Sequence, residues 1–164
     1  MQIRPMKLED IEQVVAMENK TWDNFNTPAS LPAVNKHKII QAFQNHSHYL
    51  VAEENGVILG VLDYHAYYPF PSARHVVSFI IAVDKDTQGK GIGHSLIQAF
   101  FTVAKSDNYK KVVIHVLSSN KNACRFYENI GFTLEATLKN QFYLNGTYVD
   151  DLIYSYYLEE IHAK

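Results

Sequence analysis

The sequence predicts an α/β (α+β) fold, a mixed sheet with helices on its faces, and three observations carry that prediction. Apolar residues recur at period two in some stretches and at helical spacing in others, in the order β-α-α-β-β-β-α-β-α-β-β. Glu54-Asn55-Gly56 and Asn145-Gly146 separate strand-like runs and mark turns of hairpins. A strand-like run ending at Val83 leads into three alternating glycines, Gly89, Gly91 and Gly93, and then into an apolar-periodic helix beginning near Ile92.

Gln2 to Arg4 reads as a first strand ended by Pro5. Leu8, Ile11, Val14 and Val15 then fall at helical spacing, with Glu9 and Asp10 near the N-terminus, where the helix dipole favours acids. Thr21 to Ala33, with two prolines and the aromatics Trp22 and Phe25, is expected to be an irregular linker. Ile39, Ile40 and Phe43 mark a second helix from about Pro32 to Gln44. Tyr49–Glu53 and Val57–Tyr68 form a strand pair around a three-residue turn, Glu54-Asn55-Gly56. Arg74 to Val83 is the next strand, on which alternation puts His75, Val77, Phe79 and Ile81 on one face.

The helix after the glycines presents Ile92, Leu96, Ile97, Phe100, Val103 and Ala104 to the core. Lys111–Leu117 is a buried strand and Lys121–Ile130 a helix stopped by Gly131. Phe132–Leu138 and Tyr148–Leu158 are the last strands, joined through residues 141–147.

A length of 164 residues suits one domain, expected here to span 1–164, and 47% hydrophobic with 20% charged residues places it among globular chains. A net charge of −2 gives no basic footprint for nucleic acid. Cys124 is the one cysteine, so no intramolecular disulfide forms and a thiolate metal site is not expected. Met1 to Pro5 contain no apolar leader and no run of 18 apolar residues occurs, so the expectation is a soluble, cytoplasmic protein with no membrane partner.

The glycine loop suits an anion. Glycines let a ligand approach the main chain, and the first turn of the following helix offers unpaired N–H groups and the positive end of its dipole. Gln88 and Lys90 add a donor and a charge. A phosphate-binding P-loop needs Ser or Thr after Gly-Lys, where this chain has Gly91. A dinucleotide fingerprint needs Gly-x-Gly-x-x-Gly, whereas the spacing here is Gly-x-Gly-x-Gly, past the middle of the chain. An ordinary glycine-rich turn remains the structural alternative.

Gln88-Gly89-Lys90-Gly91-Ile92-Gly93 resembles the Gln/Arg-x-x-Gly-x-Gly/Ala acyl-CoA loop of the GNAT superfamily of N-acetyltransferases. A second stretch, Asn120 to Phe132, resembles that family's Asn-x-x-Ala-x-x-apolar-Tyr-x-x-x-Gly-Phe, and the order of elements is similar along nearly the whole chain. The resemblance implies a mostly antiparallel sheet of six to seven strands flanked by about four helices. It also implies acetyl-CoA as cofactor, transfer to a primary amine in a ternary complex, and a set of positions. Backbone groups of Ile81, Ala82 and Val83 would pair with the pantetheine, and Gln88, Gly89, Lys90, Gly91, Ile92 and Gly93 would cradle the pyrophosphate. Asn120 and Phe126 would flank the arm, and Tyr127 would be the general acid. Asn120 also reads as an N-cap and Tyr127 as a packing aromatic.

Some members of the superfamily carry a glutamate base on the fourth strand, a position taken here by Val77. His75, two residues earlier, is the substitute expected from its type, with Asp63 and His65 as alternatives. Tyr64, Tyr67, Tyr68, Phe70, Trp22 and Phe25 form either an aromatic wall for the amine or ordinary strand packing. The acceptor is expected to be a small-molecule or peptide amine, and a homodimer through the last strands is a further expectation. The rival readings are an acyl-CoA-binding regulatory or sensor module without catalysis, and a nucleotide-binding protein.

Overall fold

The computed structural model describes residues 1–159. Its strands are β1 (Gln2–Pro5), β2 (His48–Glu54), β3 (Val57–Ala66), β4 (Val76–Val83), β5 (Lys111–Leu117), β6 (Thr133–Leu144) and β7 (Thr147–Tyr157). Its helices are α1 (Ile11–Thr21), α2 (Lys36–Gln44), α3 (Ile92–Ser106) and α4 (Lys121–Ile130). The strands form one sheet in the order β1-β2-β3-β4-β5-β7-β6; a mostly antiparallel sheet of six to seven strands with about four helices is what the resemblance implies. All neighbours are antiparallel except β4 and β5, whose connection through α3 is a crossover that brings the chain back in the same direction.

Each face of the sheet has its own core. On one, α3 and α4 bury Leu96, Ile97, Phe100 and Tyr127 against Leu62, Val77, Phe79 and Ile114. Phe100 is wholly buried and meets Tyr64 and Phe79 at ring separations of 5.3 and 5.1 Å; a side chain buried this way contributes roughly 2–3 kcal/mol. On the other face α1 and α2 cover Val51, Ile58, Val61 and Ala82 with Ile11, Val14, Met17 and Ile39. No helix among the described residues is long and apolar enough to cross a membrane.

Several boundaries differ from the sequence reading, each for a local reason. Leu8 is 75% exposed because Leu8–Asp10 is a 3-10 turn that swings it off the helix face. That turn is pinned by Asp10, whose carboxylate accepts from Lys7 N (2.7 Å) and from both terminal nitrogens of Arg4 (2.6 and 2.9 Å). The second helix starts at Lys36, not Pro32, because Asn35 caps it by accepting from Lys38 N. The β2–β3 turn has two residues rather than three: Asn55 and Gly56 both take positive φ, and Glu54 pairs with Val57. The fourth strand begins at Val76, since Pro71–Ala73 form a 3-10 turn and His75 follows it outside the ladder. β6 runs on to Leu144 past an irregularity between Leu138 and Phe142.

Candidate active site

The parallel pair opens the site. β4 and β5 pair at Val76↔Lys111 and Val77↔Val112, and beyond these positions the strands diverge. The edge of β4 from Ile80 to Val83 therefore faces a cleft of about 1130 Å³ instead of a neighbour. A strand edge inside a sheet leaves polar backbone groups that need a partner, so this edge is a template for an extended ligand. The opposite wall is Ile114 to Leu117 of β5.

At one end of the cleft the main chain is shaped for an anion. Asp84 caps a 3-10 turn, Lys85–Thr87, by accepting from Asp86 N, and Lys20 of α1 pairs with Asp84 and Asp86. Gly89 and Gly91 follow with φ of 79° and 80°, a region that favours glycine, and the direction a Cβ would take at each is open space. Gly91 is the N-cap of α3, whose first-turn N–H groups open onto that space. At Gly93 an added Cβ would lie 3.1 Å from Phe126 Cζ, so this glycine lets α4 approach α3.

α4 contributes the third wall. Asn120 Oδ1 accepts from Ala123 N at 3.1 Å, so the N-cap reading holds, and this leaves the amide NH2 as the donor at the cleft. Tyr127 lies one side-chain layer deeper, between Phe126 and Phe132, and is 9% exposed. Burial raises its phenol above the ordinary tyrosine range, so the hydroxyl is protonated at neutral pH.

The remaining wall comes from distant segments. Trp22, whose Nε1 donates to Glu18 Oε2 at 2.9 Å, lines the cleft with Asp23 and Asn26 of the linker. Thr21, the last residue of α1, donates from Oγ1 to Met17 O within the helix and to Val83 O of β4, which holds the start of the linker against that strand. On the uncovered sheet face, His115 of β5 and Asp151 of β7 reach the same cleft, their side chains 2.7 Å apart. Tyr67 approaches His115 from the β3 side, hydroxyl to Nε2, at 2.8 Å.

Of the residues expected from the sequence, Ile81, Ala82, Val83, Gln88, Gly89, Gly91, Ile92, Gly93, Asn120, Phe126 and Tyr127 line this one cleft. Lys90 belongs to the loop but is not among the lining residues. His75 is set apart from them: it precedes β4 at the end where β4 and β5 are paired, and its carbonyl accepts from Lys110 N and Lys111 N. Val77 is fully buried in the core. Asp63 and His65 are on β3, outside the lining. The aromatics divide: Tyr64 packs in the core, Phe25 is 68% exposed, Trp22 lines the cleft, and Tyr67, Tyr68 and Phe70 stack into a surface row ending on His115.

Sequence reasoning missed His115 and Asp151. The available signal was weak: one histidine in the apolar run of β5 and one acid of a pair in β7, 36 positions apart.

A free strand edge, a glycine cradle at a helix start and a buried phenol beside them define an acyl-CoA-dependent acyltransferase. Residues 11–132 match the model of the acetyltransferase (GNAT) family, and the chain belongs to that family. It is an acetyl-CoA-dependent N-acetyltransferase.

A solved structure of smu.2055 from Streptococcus mutans UA159 is 57% identical, covers 97% of this chain and all of its own, and superposes with a TM-score of 0.94. An N-acetyltransferase from Staphylococcus aureus Mu50 is 26% identical with a TM-score of 0.85, covering 96% of this chain and 98% of that one. Among relatives, the L-methionine sulfoximine/L-methionine sulfone acetyltransferase of Salmonella typhimurium is 29% identical over 114 residues, 70% of this chain and 66% of that protein.

Proposed function

We propose that this chain works as a single domain that transfers the acetyl group of acetyl-CoA directly to a primary amine, with both substrates bound together. The amine belongs to a small molecule, an amino-acid derivative or a peptide N-terminus. The observation that carries the reading is the divergence of β4 from β5 beside the glycine cradle and Tyr127.

Acetyl-CoA supplies an activated acyl carbon and a thiolate leaving group. Ile81 to Val83 offer backbone pairing to its extended arm, and Asn120 offers its amide NH2. The loop from Gln88 to Gly93 and the α3 terminus receive the pyrophosphate. Tyr127 donates a proton to the departing sulfur. Cys124 is buried in the core, outside the cleft lining, which supports direct transfer over an acyl-cysteine relay.

The acceptor side suits a cation. Its linker acid Asp23 is paired with Lys85, while Asp151 adds a further carboxylate, and Trp22 and Phe142 add aromatic surface. A relative that acetylates methionine sulfoximine supports an amino-acid derivative as one acceptor class to try. A cytoplasmic location and a homodimer complete the reading. The dimer is supported by the edge strand β6, where Leu134 and Leu138 are exposed, and sedimentation velocity reads it directly.

Calorimetric titration with acetyl-CoA, followed by a thiol-release screen over amines, amino-acid derivatives and peptides, tests the proposal. Saturable binding with turnover is expected. Binding without turnover on a broad panel transfers weight to a sensor role, and no binding overturns both.

A further inference from the structure

We infer that His115, oriented by Asp151 and Tyr67, is the group that takes the proton from the acceptor amine. The inference rests on the acetyl-transfer reading above and assigns the step that reading leaves without a residue. An alkylamine with an ordinary pKa near 10.4 is almost wholly protonated at pH 7, and freeing its lone pair costs about 4–5 kcal/mol without help.

The sheet register brings the three side chains together. His115 pairs with Ile153 and Leu117 with Asp151, so His115 and Asp151 are diagonal neighbours on one face. The Asp151 side chain is 8% exposed, and its Oδ2 lies 2.7 Å from His115 Nδ1. A buried carboxylate there accepts a hydrogen bond, which places the ring proton on Nδ1 and the lone pair on Nε2. The Tyr67 hydroxyl donates to that lone pair at 2.8 Å, and its ring stacks on the imidazole at 5.9 Å. His115 is 42% exposed by side chain and lines the same cleft as Tyr127.

The arrangement is a base held in one tautomer, with a hydroxyl that turns aside when an ammonium arrives as the better donor. His115 Nε2 takes one proton from the ammonium. The freed nitrogen lone pair forms the C–N bond to the acetyl carbon while the C–S bond breaks and its electron pair leaves with sulfur. Tyr127 gives sulfur a proton and regains one from solvent, and the second amine proton passes to solvent. His115 then returns its proton to solvent, so each turnover releases one proton net. The titratable groups facing His115 are Asp151 from β7 and Tyr67 from the β3 side, with Tyr68 packed behind Tyr67; β4 between them presents Ser78 and Ile80 by register.

His115→Gln, Asp151→Asn and Tyr67→Phe in the full chain test this with three readouts. Acetyl-CoA affinity by calorimetry is expected to stay within about threefold of wild type in all three, because none of them touches the glycine cradle. With the best amine of the panel, His115→Gln is expected to lose roughly 10²–10³ in kcat and the acid limb of the pH–rate profile. Asp151→Asn is expected to lower kcat about tenfold to a hundredfold, since the imidazole loses the acceptor that holds its tautomer and orientation. Nitrogen chemical shifts of His115, read without any substrate, are expected to show Nδ1–H in wild type and a mixed tautomer in Asp151→Asn. Tyr67→Phe is expected to keep the tautomer and shift the Nε2 resonance.

An active wild type whose His115→Gln variant keeps the profile overturns this inference alone. Loss of acetyl-CoA binding in His115→Gln also overturns it, by making the residue a structural support. A wild type that neither binds acetyl-CoA nor turns over overturns the function itself.

Discussion

The two halves of the cleft are built from different material. The donor half is backbone: the free edge of β4, two positive-φ glycines and the first turn of α3, drawn from the continuous stretch Ile81 to Gly93 with Asn120 to Tyr127 added. The other half, where we propose the amine binds, is side chains from four separate segments, among them Trp22, His115, Phe142 and Asp151. A backbone-built site is carried by local conformation and tolerates change in everything but glycine and cap residues. A side-chain site exists once the topology has closed, and each of its members is open to substitution.

Tyr127 sits where the halves meet, and removing its hydroxyl should separate them most sharply. Tyr127→Phe keeps the aromatic packing against Phe79 and Phe132. The expected result is a fall in kcat of ~10²-fold or more, about 3 kcal/mol, with acetyl-CoA affinity within a few-fold of wild type. Steady-state kinetics beside calorimetry checks this, and unchanged turnover would remove the acid role.

Gly91→Val attacks the donor half alone. Its φ of 80° is strained for a β-branched residue, and the side chain would enter the open space above the loop. Acetyl-CoA affinity should weaken by about thirtyfold, roughly 2 kcal/mol, while amine selectivity among the remaining turnover stays as in wild type. A selectivity change of similar size would show that the halves are not independent.

The same division explains what the sequence disclosed. The glycine loop, Asn120, Tyr127, and the helix and strand limits at Lys111–Leu117 and Lys121–Ile130 were legible because each is written in neighbouring residues. His115 and Asp151 were not, because the pairing of β5 with β7 creates their contact across 36 residues. His75 shows the converse, set apart from the cleft that most of the other candidates line. Alternation placed it on the face of Val77 and Phe79, but a 3-10 turn delays the strand, and the cleft opens at the far end of β4. Periodicity assigns a face, not a depth along it.

A further expected effect, on stability rather than on turnover, lies on β3 outside the cleft lining, where folding has left a buried charge problem. Asp63 pairs in register with the cleft residue Ile80, its Oδ1 is sealed from solvent without a hydrogen bond among the described residues, and the buried carboxyl of Glu18 is close enough to repel it. Burial first, and Glu18 second, push its pKa up to about 7 from an ordinary value near 3.8. Because the folded state favours the protonated acid, the stabilisation is complete below pH ~4, declines as pH rises from there, and is gone above pH ~7. Asp63→Asn removes the dependence by keeping the side chain neutral. Wild type and variant should therefore differ little at pH 4, whereas at pH 8 the variant should be more stable by ~4 kcal/mol, a rise of about three in pKa at about 1.4 kcal/mol each, and its Tm should rise by about ten degrees. Chemical denaturation of both proteins between pH 4 and 9 reads the difference, and parallel curves across that range would place an ionised Asp63 in the fold at no cost.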